Sequence, residues 1–95
     1  MSNDKIIFEL AEEAVRLCAE KNVMVATAES CTGGLVAACM TEVPGASQVL
    51  ERGFITYSDQ AKTEMLGVMA ITLRQYGAVS KDVALEMAHG AMSRS

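Results

Sequence analysis

One short stretch, Ala28-Glu29-Ser30-Cys31-Thr32-Gly33-Gly34, constrains this chain more than any other. It joins an apolar run that reads as a strand, Val23 to Ala28, to a segment that reads as a helix, Leu35 to Glu42. A hydroxyl-rich and then glycine-rich turn at such a junction sets side-chain nucleophiles beside bare backbone N–H groups. Those groups carry the positive end of the helix dipole, a setting suited to an anion or a developing oxyanion. Two glycines in a first helical turn cost helix stability. They therefore mark close approach, either by a ligand or by the strand packed beneath the helix.

The flanking patterns place this turn in an α/β layer. Ile7, Leu10, Ala11, Ala14, Leu17 and Cys18 share one face of a helix running from about Asp4 to Lys21, with Glu9, Glu12, Glu13, Arg16 and Glu20 on the other. Val43-Pro44-Gly45 stops the helix that follows the turn. Val49 to Tyr57 reads as a second strand, in which Gly53 marks a bulge or a close backbone approach. Ser58 is placed to cap a helix from Asp59 to Leu66 that ends at Gly67. A short helical piece, Ile71 to Tyr76, closes at Gly77, and Ser80 caps a last helix with Val83, Ala84, Met87, Ala88 and Ala91 on its apolar face. The expected fold is a layered helix–sheet domain with few strands. Two strands are few for an independent sheet, and the chain closes on a helix where an α/β unit returns to a strand. The expectation is a truncated domain, the front part of a larger one.

Composition narrows the function classes. In 95 residues with a net charge of −4, Lys and Arg are scattered and form no basic stripe, which argues against nucleic acid and against an anionic membrane surface. No signal-peptide pattern opens the chain, and the apolar run Leu35 to Met40 is far too short to span a bilayer. Cys18, Cys31 and Cys39 lack CxxC spacing, the usage of reduced thiols in a cytoplasm. A lone histidine, His89, leaves few ways to build a metal site.

Ser30 falls at the carboxyl end of the first strand, the edge where ligand crevices open in α/β sheets. A serine nucleophile needs a base. Lys62, one turn into the helix after the second strand, is the candidate, because a lysine serves as base when burial or a positive field keeps it neutral. Tyr57, ending the second strand, reaches the same crevice and is placed to relay a proton. Glu29 is placed to orient Lys62 or a substrate hydroxyl. Each residue also has a plainer role: Thr32 as a helix cap, Lys62 as solvated surface, Tyr57 as half-buried packing, Cys31 as a buried thiol, and the methionines as core or a contact face.

Three segments, VATAESCTGGLVA, PGASQVLERGFITYSDQAKTEMLGV and GAVSKDVALEMAHGA, together resemble the CinA C-terminal domain family, in order and over nearly all of the chain from about Leu10. Enzyme members of that family are nicotinamide-nucleotide amidohydrolases of the PncC type. The resemblance implies hydrolysis of nicotinamide mononucleotide to nicotinic acid mononucleotide and ammonia, with no metal or organic cofactor. It makes Ser30 the nucleophile, Lys62 its base and Tyr57 an assistant. Backbone N–H groups around Thr32, Gly33 and Gly34 would hold the oxyanion or the nucleotide phosphate, with Glu29 beside them on the substrate side. Family domains continue into further strands and a second glycine-rich loop of the type TGIAGP. The chain is thus expected to be a single domain over residues 1–95 that lacks the family's C-terminal portion. An alternative role is a non-catalytic nucleotide-binding or self-assembly module. Homo-oligomers are expected in either case, because exposed strand edges need cover.

Overall fold

The computed structural model describes residues 2–95, with side chains from Asp4 onward. The first helix, α1 (Ser2–Lys21), ends at Asn22, whose φ of 56° is a left-handed conformation that asparagine tolerates. The N–H of Val23 closes that end on the Cys18 carbonyl at 2.9 Å. Strand β1 (Val25–Glu29) follows, then α2 (Leu35–Thr41), a 3₁₀ turn (Ala46–Gln48) and β2 (Leu50–Ile55). Three helices complete the order: α3 (Asp59–Leu66), α4 (Ala70–Tyr76) and α5 (Lys81–Ser93).

The two strands pair in parallel, from Val25 with Leu50 to Glu29 with Ile55. Their register shifts between Val25 and Ala26, because Ala26 faces Arg52 and leaves Glu51 as the extra residue. That bulge switches the side-chain alternation of β2. Leu50 joins Val25 in a core with Ala11 and Val15 of α1, Met40 of α2, and Val43, Ala46 and Val49. Phe54 joins Ala28 in a second core with Leu66, Val68, Val83, Met87 and Ala91. The sheet therefore separates two small cores, one under α1 and α2, the other under α3 and α5. The bulge lies two residues before Gly53, which has its own task. A Cβ on Gly53 would stand 2.6 Å from Thr27 Oγ1, so glycine is needed for the close approach of β1.

Local chemistry accounts for α3 as the sequence predicts. The Ser58 hydroxyl accepts the Ala61 N–H at 3.0 Å, Asp59 sits in the first turn, and Gly67 ends the helix at a left-handed φ of 72°. Ser80 caps α5 by accepting the Val83 N–H at 3.2 Å. The first helix differs from expectation. Its buried positions are Ala11 and Val15, with Phe8 and Cys18 packed beside them, while Ile7, Leu10 and Leu17 face out and Leu10 is 61% exposed. With both apolar stripes of α1 nearly equal in pattern, packing against Met40 and Val43 selects the one carrying Ala11 and Val15. Of the methionines Met65, Met69, Met87 and Met92, Met87 alone is core. His89 is exposed.

Candidate active site at the carboxyl ends of the strands

β1 and β2 run in the same direction, so their carboxyl ends deliver Ser30 and Tyr57 to the same edge of the sheet. A cleft of about 570 Å³ opens there, walled by Ser30, Cys31, Tyr57, Lys62 and Val79 among others. A larger groove of about 830 Å³ runs along the free edge of β1 beside α5, but alanines and methionines dominate its walls and it lacks both Ser30 and Lys62. Ser30, Tyr57 and Lys62 all line the smaller cleft.

Lys62 is the least expected of these residues. A lysine on a short polar helix is ordinarily solvated, yet Lys62 is 2% exposed. Its Nζ donates to the Tyr57 carbonyl oxygen at 3.0 Å and to Asp59 Oδ1 at 3.4 Å. The amino group is thus held between the last residue of the β2 exit and the first turn of α3. Neither bond goes to Ser30, although both residues line one cleft. The Asp59 partnership was open to sequence reasoning, since Asp59 and Lys62 stand at i,i+3 on one helix. Tyr57 is not half-buried packing but 76% exposed, with its ring at the cleft. Cys31 is not a buried thiol either; it is exposed on the same wall as Ser30. Ala78 and Val79, from the loop before α5, supply an apolar wall that no motif announced.

The turn itself is organised differently from the sequence reading. The residue that caps α2 is Glu29, not Thr32. Glu29 Oε1 accepts the Thr32 hydroxyl at 2.7 Å and the Val36 N–H at 2.9 Å, and Oε2 accepts the Ala37 N–H at 2.9 Å. Only 4% of Glu29 is exposed. Burial by itself raises its carboxyl, but the hydrogen bonds from Thr32 and from the N–H groups of Ala37, Val36 and Gly34 outweigh that and hold it below its ordinary value. Both carboxylate oxygens are therefore engaged inside the chain. Gly34 serves packing: at φ 102° its missing Cβ would meet Ile55 Cδ1 at 2.9 Å. Gly33, at φ 63°, has nothing within 4 Å of that position.

Among the described residues, no group of three or more His, Cys, Asp or Glu is placed to hold a metal ion, and no helix is long and apolar enough to cross a membrane.

The class is an α/β layer whose parallel strands bring a serine and a buried lysine to one edge of the sheet. The chain belongs to the CinA C-terminal domain family, whose model matches residues 7–95. It is 58% identical over 77 residues to a CinA-like protein of Akkermansia muciniphila, an alignment covering 81% of this chain and 19% of that protein. It is 47% identical over 89 residues to the nicotinamide-nucleotide amidohydrolase PncC of Escherichia coli, covering 94% of this chain and 54% of PncC. The fold matches the crystal structure of the competence/damage inducible protein CihA from Agrobacterium tumefaciens with a TM-score of 0.90 at 53% identity, over 94% of this chain and 54% of that one. The chain thus spans about half the length of PncC and of CihA.

Proposed function

We propose that this chain carries the nucleophile and base of a nicotinamide-nucleotide amidohydrolase, acting on the carboxamide of nicotinamide mononucleotide. The observation that carries the reading is the burial of Lys62 in a cleft shared with Ser30 and Tyr57, in a chain similar to PncC over nearly its whole length. In this mechanism Ser30 Oγ attacks the carboxamide carbon and its proton passes to the free amine of Lys62. N–H groups at Thr32 and Gly33 support the oxyanion. The C–N bond then breaks, and the nitrogen leaves as ammonia with the proton that Lys62 returns. Water, deprotonated by Lys62, cleaves the ester on Ser30, the serine recovers its proton, and nicotinic acid mononucleotide is released. Tyr57, exposed beside the lysine, relays protons or faces the pyridine ring.

Ammonia release from nicotinamide mononucleotide, followed for the chain and for Ser30→Ala and Lys62→Met, tests the reading. Turnover abolished in both variants supports it; no turnover from a folded wild-type chain overturns it for these 95 residues.

A second reading, self-assembly, is favoured by the stripe Ile7, Leu10 and Leu17, which α1 turns away from the core. The free edge of β1 adds to it. Light scattering on the wild type and on Leu10→Lys tests it: a dimer or larger that becomes a monomer in the variant supports the reading, and a wild-type monomer removes it.

A further inference from the structure

A buried carboxylate is costly unless its charge is fully answered, and the chain offers an internal measure of what mere capping requires. Glu86 of α5 caps α4 in the same way, accepting the Met69 N–H at 2.8 Å and the Thr72 hydroxyl at 2.6 Å. Glu86 does so while partly exposed, and it does not line the cleft. Capping a seven-residue helix therefore needs no deep burial. Glu29 is buried, and it is the residue immediately before Ser30. Its bonds reach forward to both ends of the turn, to Thr32 on one side and to Val36 and Ala37 on the other. On the opposite side its own carbonyl accepts the Thr56 N–H at 2.8 Å, the residue next to Tyr57. The chain on either side of Ser30 is thus held, by the strand ladder at Glu29 and by the Glu29 carboxylate at Thr32.

We propose that Glu29 is a positioning residue for Ser30: its buried carboxylate, bonded to Thr32, Val36 and Ala37, fixes the turn that holds the Ser30 hydroxyl in the cleft with Lys62. The inference rests on the Ser30–Lys62 reading above. It also assigns the dipole end of α2 to a resident anion, so a nucleotide phosphate binds elsewhere in the cleft.

The test uses the whole chain and phenylmethanesulfonyl fluoride, from which an activated serine oxygen displaces fluoride to form a stable sulfonyl ester. Modification of the Ser30 peptide is followed by mass spectrometry against reagent concentration, which separates the maximal rate from the half-saturating concentration. Wild type is expected to label at Ser30, and Ser30→Ala to remain unlabelled at that peptide. In Glu29→Gln the maximal rate is expected to fall about tenfold to a hundredfold with the half-saturating concentration unchanged. Glu86→Gln, which removes the same kind of cap from α4, is expected to label as wild type. Equal labelling of Glu29→Gln and Glu86→Gln overturns the proposal, as does a raised half-saturating concentration at constant maximal rate, the mark of a ligand contact. Should Glu29→Gln fail to fold by circular dichroism, Thr32→Val removes one bond and spares the cap; wild-type labelling in that variant overturns the proposal. Failure of the Ser30 reading is distinct, because it appears in the wild-type chain as no labelling at Ser30 before any Glu29 variant is made, and the proposal falls with it.

Discussion

The Nζ of Lys62 donates to the carbonyl oxygen of Tyr57 at 3.0 Å, tying the first turn of α3 to the chain just past β2. The bond uses a backbone acceptor, so it holds the amine in the cleft without depending on the Tyr57 ring. Replacing Lys62 by Met keeps the buried stem and removes the amine. Turnover of nicotinamide mononucleotide is expected to fall by about 10²–10⁴, while the melting temperature changes little. Unfolding of the variant at ordinary temperature would make Lys62 a structural residue instead.

Gly90 packs against the backbone carbonyl of Leu66, the last residue of α3, where a Cβ would collide with that oxygen. Backbone cannot step aside as a side chain can. Gly90→Ala is therefore expected to cost about 3 kcal/mol or more, lowering the melting temperature by roughly 12 °C or more in a domain of this size. A melt within a few degrees of wild type would mean that α5 shifts freely on α3.

Glu29 makes stability depend on pH in a defined direction. Its folded pKa lies below its unfolded one, so the stability it contributes is complete above the ordinary carboxylate value of ~4.3. That contribution is lost as pH falls through the lowered folded value. Urea midpoints measured from about pH 7 down to about pH 3 are expected to fall more steeply for wild type than for Glu29→Gln. Parallel slopes would show that the bonds to Thr32, Val36 and Ala37 do not set this carboxyl.

Thr27 Oγ1 is buried on β1 with no hydrogen-bond partner. An unsatisfied hydroxyl costs on the order of 1–3 kcal/mol, and a valine methyl occupies the same space against Gly53. Thr27→Val is expected to raise stability by about 1 kcal/mol in chemical denaturation. Gly53→Ala, which drives a Cβ toward Thr27 Oγ1, is expected to lower it. A destabilised Thr27→Val would indicate that the hydroxyl is bonded in solution.

Elements governed by neighbours in sequence were legible before any coordinates. The limits of α3 follow from the Ser58 hydroxyl, Asp59 at the positive dipole end and the left-handed Gly67. The start of α5 follows from Ser80 in the same way. Ser30 and Tyr57 are legible as strand ends and Lys62 as a residue one turn into the next helix; the parallel pairing of β1 and β2 is what brings the three to one edge. Where the partner lies several residues on, the pattern is silent: the bonds of the Glu29 carboxylate to the Val36 and Ala37 N–H groups have no local signature, and α1 carries a second apolar stripe beside the expected one.

By itself, the sequence determined the helices, the two strands, the serine–glycine turn and the family, because caps, turn residues and periodicity act within a few residues. Only the tertiary structure decided that Glu51 bulges out of β2, that Ala11 and Val15 rather than Leu10 line the core, and that Lys62 is buried. Those outcomes depend on which surfaces meet across long stretches of chain. The packing of α5 on α3 through Gly90 closes the core of Leu66, Val83 and Met87, and the fit of α1 on α2 selects one apolar stripe. Glu29 belongs to both: its place beside Ser30 is sequence, but its role under the turn exists only once α2 folds back over β1.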